Sequence, residues 1–209
     1  AMRFAVLKEV AANESRVGAT PETVKKLIGL GASVAIERGA GAGARIADAD
    51  YEAAGATVAD RASVIAGAQM VLGIQAPQLA DLPGIASGTI VAAIMSPYND
   101  RAKIEAYAGA GLIAYAMEFM PRTTRAQSMD VLSSQSNLAG YKAVIDAGEA
   151  YGRAFPMMMT AAGTISAARV FIMGVGVAGL QGIATARRLG AVVSATDVRS
   201  ATKEQIESL

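Results

Sequence analysis

Two stretches of this sequence carry residues that could do chemistry, and they offer different kinds of groups. "MGVGVAGL" places Gly174, Gly176 and Gly179 in a G-x-G-x-x-G spacing, with Val175, Val177 and Ala178 between them. An apolar run precedes it, a helical pattern from Leu180 to Leu189 follows, and a second apolar run leads to Asp197, 18 residues beyond Gly179. Strand, glycine turn, helix, strand and acid is the fingerprint of a dinucleotide site. Gly174 permits the tight turn, Gly176 lets backbone approach a pyrophosphate, and Gly179 lets the helix pack on the strand. The helix N-terminus, at Val177–Ala178, presents free N–H groups and a positive dipole end to phosphate. Asp197 would accept hydrogen bonds from ribose hydroxyls and repel a 2′-phosphate, which favours NAD over NADP. Arg199 has two readings, a host for a 2′-phosphate or a solvated surface charge.

The second stretch, "PRTTRAQSMDVLSSQSN" from Pro121 to Asn137, crowds Arg, Thr, Gln, Asp, Ser and Asn into a chain otherwise dominated by small apolar residues. A bound nicotinamide would present a carboxamide with one acceptor and two donors, and such side chains on a stiff support could hold it. If the segment is helical, Gln127, Asp130 and Ser133 or Ser134 share one face. The alternative is a capped, solvated hinge whose polar side chains satisfy turns. Composition leaves both readings open.

Composition narrows the rest. There is no Cys, hence no disulfide, thiol nucleophile or thiolate metal site, and no His, the usual general base near neutral pH. The net charge of +1 points to neither nucleic acid nor an anionic membrane surface. The longest charge-free apolar run, Val170–Ala186, is interrupted by Gly and Gln181 and is shorter than the ~20 residues of a spanning helix. No signal peptide is expected, and Ala1 reads as a remnant ahead of Met2.

The elements that must position these groups read as α/β. Strands are expected at Phe4–Leu7, Ser33–Ile36, Met70–Ile74, Ile90–Met95, Leu112–Ala116, Val170–Met173 and Val192–Ala195. In "ATPETVKKLIGLG" Thr20 caps a helix, Pro21 opens it and Gly31 stops it. Continuous apolar strands alternating with helices imply parallel sheets covered on both faces. The expected architecture is α/β, with two Rossmann-like parallel-sheet domains, the second incomplete in this chain. Residues 1–130 form the N-terminal domain and residues 131–209 the start of the second, with a linking helix at about 137–154 capped by Ser136 or Asn137.

"MPRTTRAQSMDVLSSQSNLAGYKAV", "AFPMMMTAAGT", "GVGVAGLQGIATARRLGAVVSATDVR" and "ESRVGATPETVKKL" together resemble the NAD(H)-binding domain I of the proton-translocating NAD(P) transhydrogenase alpha subunit. That family is related to the alanine dehydrogenases. The resemblance covers nearly the whole chain, most weakly from about Ala40 to Ala110. It implies that Arg122, Gln127, Asp130 and Ser133 contact the nicotinamide and its ribose, and that NAD(H) binds at the glycine turn, Asp197 and Arg199. It further implies NADP(H) on a partner domain and hydride passed directly between the two cofactors, which needs no side-chain acid or base. The implied partners are a second copy of the chain, the NADP-binding domain and a membrane subunit. The chain itself would then lie on the cytoplasmic or matrix side, held at the inner membrane only through those subunits. Three departures stand out. Gly73 in "VLGIQAP" sits where an alanine dehydrogenase would carry Lys, Ile165-Ser166-Ala167 replace prolines before a strand, and the chain stops short of a mobile loop expected to close over NAD.

Overall fold

The computed structural model describes residues 1–121, 123–199 and Thr202. The chain divides into two compact units, Ala1–Ala126 and the residues from Gln127 onward.

The first unit alternates strand and helix: β1 (Arg3–Val6), α1 (Pro21–Gly29), β2 (Ser33–Glu37), α2 (Asp48–Ala53), β3 (Thr57–Ala59), α3 (Arg61–Ile65), β4 (Met70–Gln75), β5 (Ile90–Ile94), α4 (Arg101–Gly109) and β6 (Ile113–Ala116). The sheet runs β3-β2-β1-β4-β5-β6, and every pairing is parallel. That is the doubly wound Rossmann order, with its reversal between β1 and β4. Successive side chains of a strand point to opposite faces, so one strand serves two cores. Ala5 and Leu7 join Val71, Val91, Met95 and Tyr107 in one, whereas Val6 joins Val24, Val34, Ile36 and Tyr51 in the other.

Local signals set α1. The Thr20 hydroxyl accepts the Thr23 N–H at 3.3 Å, Pro21 occupies the first turn, and Gly31 follows the helix at φ +86°. Only Val24 of α1 is fully buried, a burial that stabilises by about 1.5–3 kcal/mol. β3, with three residues, is too short to show alternation in the sequence.

The second unit comprises α5 (Val131–Tyr151), an antiparallel hairpin of β7 (Met158–Thr160) and β8 (Gly163–Ile165), then β9 (Arg169–Met173), α6 (Val177–Arg188) and β10 (Val192–Thr196). β9 and β10 pair in parallel from Arg169–Val192 to Met173–Thr196, so α6 is the crossover of a βαβ unit. The hairpin lies within "MMMTAAGTISA", where the sequence pattern suggests only a lead-in to the following strand. Its Met157, Met158, Met159 and Ile165 are exposed, so no buried face leaves an alternation to detect.

α5 begins at Val131 rather than near residue 137, because its cap is Asp130 and not Ser136 or Asn137. It ends at Gly152, which adopts φ +65°. Its interior lies against α6 at very short range. A Cβ added to Gly140 would stand 2.1 Å from the Ala178 carbonyl oxygen, in the first turn of α6. Val144, Phe155, Ala168 and Ala186 form the core beneath.

Candidate functional site

The glycine turn folds as its spacing demands, with α6 starting at Val177 rather than at Leu180. Each glycine is there for a different reason. Gly174 holds φ +92°, a region closed to most side chains. A Cβ on Gly179 would stand 1.9 Å from the Gly174 carbonyl oxygen, so only glycine lets the helix start this close to the strand. Gly176 is different. Its backbone is extended at φ −82° and ψ −166°, and a Cβ built there meets no described atom within 4 Å. Neither strain nor internal packing requires glycine at 176, so the requirement points outside the chain. Gly176 is also the N-cap of α6 and offers no side-chain acceptor to the first-turn amides, which leaves N–H donors and the positive dipole end facing open space.

Asp197 follows β10 directly and ties the strand end to the turn. Its Oδ2 accepts the Val175 N–H at 2.7 Å, and Gly174 N–H donates to the Thr196 carbonyl at 2.8 Å. Arg199 closes over the same carboxylate. Its Nε donates to Oδ1 at 2.9 Å, its Nη2 to Oδ2 at 3.1 Å, and its own backbone N–H to Oδ1 at 2.8 Å. The guanidinium also reaches the Val175 carbonyl at 3.3 Å. The guanidinium first, and then the Val175 amide, hold the Asp197 carboxyl well below the usual carboxylate range. Asp197 is ionised at every physiological pH.

The polar stretch divides between the two units, with Thr123–Ala126 in the first and Gln127 onward in the second. A 3₁₀ segment runs from Thr124 to Met129, and the Asp130 N–H donates to the Gln127 carbonyl at 3.3 Å. Asp130 then caps α5. Oδ1 accepts the Ser133 N–H at 3.0 Å, and Oδ2 accepts the Ser133 hydroxyl at 2.6 Å. Asp130 and Ser133 are therefore brought together, but as a helix cap. The shared helical face expected for Gln127, Asp130 and Ser133 does not form, since the helix starts only after Asp130. Gln127 is exposed within the 3₁₀ segment. Arg122 lies outside the described residues. Ser134 turns its hydroxyl to the Val131 carbonyl at 3.0 Å.

The first unit holds a further polar cluster, which no motif in the sequence announces. The register of β4 on β5 shifts between Leu72 and Gln75, and Glu9 takes the strand-end amides there, accepting Ile74 N–H at 2.6 Å and Gln75 N–H at 3.1 Å. Burial raises the pKa of the Glu9 carboxyl. The Gln75 amide donates to Glu14 at 3.2 Å, and Glu14 is paired with Arg16 at 2.6 Å. These groups stand at the carboxyl ends of β1 and β4, where the strand order reverses, beside a cleft of about 140 Å³ lined by Lys8, Glu9, Gly73, Gln75 and Arg61. Ligands of doubly wound sheets bind at such a reversal. Only the "ESR" triplet marks it in the sequence, and paired charges beside a helix cap are common. Among the described residues there is no cluster of acids that could hold a metal ion, and no helix is long and apolar enough to cross a membrane.

Two Rossmann-like parallel-sheet units, the second opening on a G-x-G-x-x-G turn with an acid at the next strand end, define a dinucleotide-binding protein of the two-domain dehydrogenase type. The family model "Alanine dehydrogenase/PNT, N-terminal domain" matches residues 5–139 and "Alanine dehydrogenase/PNT, C-terminal domain" matches residues 143–209; the chain belongs to this family. It is 54% identical to an NAD(P) transhydrogenase alpha subunit of Rhodospirillum rubrum, over all of this chain and 56% of that protein. The crystal structure of a transhydrogenase from Sinorhizobium meliloti superposes with a TM-score of 0.95 at 59% identity, over 100% of this chain and 60% of that one. An L-alanine dehydrogenase superposes with a TM-score of 0.85 at 27% identity, over 99% of this chain and 58% of that one. The chain spans little more than half the length of these relatives.

Proposed function

We propose that this chain is the NAD(H)-binding component of an NAD(P) transhydrogenase, passing hydride between NAD(H) and NADP(H) held on a partner domain, with proton translocation coupled to it by separate membrane subunits. The observation that carries the reading is Gly176. A glycine that neither strain nor packing requires, at the open N-terminus of α6 and beside Asp197, fits a pyrophosphate backed by a ribose. The bound nicotinamide supplies the hydride chemistry, and direct transfer between two rings asks no acid or base of the protein, in keeping with a chain that has no His. What the chain's own residues do is hold and orient. The α6 amides take phosphate, Asp197 takes ribose hydroxyls, and Arg122, Gln127, Asp130 and Ser133 hold the carboxamide end. In this reading the chain works as a homodimer, on the cytoplasmic or matrix side of the inner membrane, attached only through its partner subunits.

The likeness to L-alanine dehydrogenase and the cleft at the ends of β1 and β4 favour a second reading, a dehydrogenase with its own small substrate. Gly73 weighs against it. A Cβ there would meet Glu9 Oε1 and the Gln75 carbonyl at 3.4 Å, ordinary contact that leaves room for a side chain, yet none is present to reach into the cleft. The test uses the full-length subunit. Mixed with its NADP-binding partner it should transfer hydride from NADH to an NADP analogue in a single turnover. With pyruvate and ammonia alone it should leave NADH unconsumed; consumption would establish the second reading.

A further inference from the structure

The Asp197 carboxylate has no acceptor capacity left. Two carboxylate oxygens offer about four lone-pair sites, and four donors already fill them: the Val175 N–H, the Arg199 N–H, and Nε and Nη2 of Arg199. Two of these four are backbone groups fixed by the turn. The other two belong to one side chain, and that side chain is the mobile part of the cluster. The Arg199 side chain is 61% exposed, whereas the Asp197 side chain beneath it is 6% exposed. No ribose hydroxyl can reach the acid until the guanidinium has swung away.

We propose that Arg199 is a specificity-determining residue of the ribose subsite, a clip that occupies Asp197 in place of the ribose and that NAD(H) must displace. The proposal rests on the reading of the glycine turn as the NAD(H) site. The clip opposes NAD(H) binding by the strength of one ion pair. It acts differently on NADP(H), whose 2′-phosphate is repelled by Asp197 but attracted to a guanidinium, and the fork of Arg suits a phosphate in two-pronged contact. Arg199 therefore narrows the discrimination that Asp197 alone would impose. Because the pair is exposed, added salt weakens it.

The experiment measures equilibrium binding of NADH and of NADPH to the full-length subunit, wild type and Arg199→Met, at low and at high salt. Met keeps an unbranched apolar stem and removes the guanidinium. Thermal melting confirms that the variant is folded. NADH should bind the variant about three- to fivefold tighter at low salt, the scale of one exposed ion pair, and that gain should shrink at high salt. NADPH should bind the variant no better than wild type. Arg199→Lys, which keeps charge but loses the fork, should fall between the two for NADH. A folded Arg199→Met protein that binds NADH as wild type does, or more weakly, overturns the proposal while leaving the cofactor site intact. A wild type that binds no NADH overturns the site itself, and the proposal with it.

Discussion

α5 and α6 both begin where function is expected, and they treat the same problem in opposite ways. Every helix N-terminus leaves backbone N–H groups without an internal partner. At α5 the chain closes that end itself: Asp130 accepts from both the backbone and the hydroxyl of Ser133. At α6 the cap is a glycine, and the side-chain acceptor at the turn, Asp197, sits to one side on Val175. An open terminus can receive an anion and a closed one cannot. The phosphate belongs to α6, and whatever the head of α5 contributes must come through side chains such as Gln127, not through its amides.

The largest effect should come from separating the two glycines of the open terminus. Gly179→Ala places a methyl group 1.9 Å from the Gly174 carbonyl and should destabilise the protein by about 1–3 kcal/mol, the range for overpacking, with loss of NADH binding. Gly176→Ala meets no such clash and should shift thermal stability by about 1 kcal/mol at most, the worth of a helix cap. Its NADH affinity should nevertheless fall tenfold or more in equilibrium titration. A Gly176→Ala protein that binds NADH normally would remove the distinction between the two helix ends.

Next comes Gln127, which tests whether the closed end works through side chains. Gln127→Asn in the complete subunit should lower NADH affinity by only about 1 kcal/mol, one ordinary hydrogen bond. Single-turnover hydride transfer to the partner's cofactor should fall tenfold or more, since small misplacements of a reacting ring cost rate steeply. If both are unchanged, the polar stretch is a hinge.

Asp130 separates capping from cradling at one position. Asp130→Ala should cost about 1 kcal/mol of stability in denaturant unfolding, the usual worth of an N-cap. Asp130→Asn keeps a good cap and removes the charge, so its stability should match wild type. A slowed hydride transfer in the folded Asn variant would show that Asp130 also acts on the cofactor; an unchanged rate would leave it a cap only.

The smallest effect lies in the first unit, away from both termini. The Arg16 guanidinium, ahead of the Gln75 amide, pulls the Glu14 pKa from 4.5 down to about 2. A depressed carboxylate contributes stability that is present above its unfolded value and lost as pH falls toward its folded one. The difference in melting temperature between wild type and Glu14→Gln should therefore be full at neutral pH and close between about 4.5 and about 2. A difference that stayed constant across that window would mean the pair contributes nothing through its charge.

The legible parts of this molecule are those in which covalent geometry or a two-residue period acts locally. The main strands of both units, the Thr20–Pro21 start of α1, and the glycine turn with Asp197 at the next strand end all stand in the sequence, because steric freedom at glycine and alternation along a strand do not depend on distant partners. The role that each polar side chain takes is not legible there. Asp130 and Ser133 could equally have lain on a helical face, and only the fold set the helix start after Asp130 and turned them on each other. Likewise β3 and the β7–β8 hairpin are too short or too exposed to leave a pattern, and the bonding of Glu9 to β4 arises from a register shift between strands. A residue's own type fixes what it can bond; which partner arrives is decided by parts of the chain far away in sequence. Asp197 shows both halves of this. Its spacing from Gly179 marks it as an acid at the strand end, but only the folded turn shows that Arg199 already holds it.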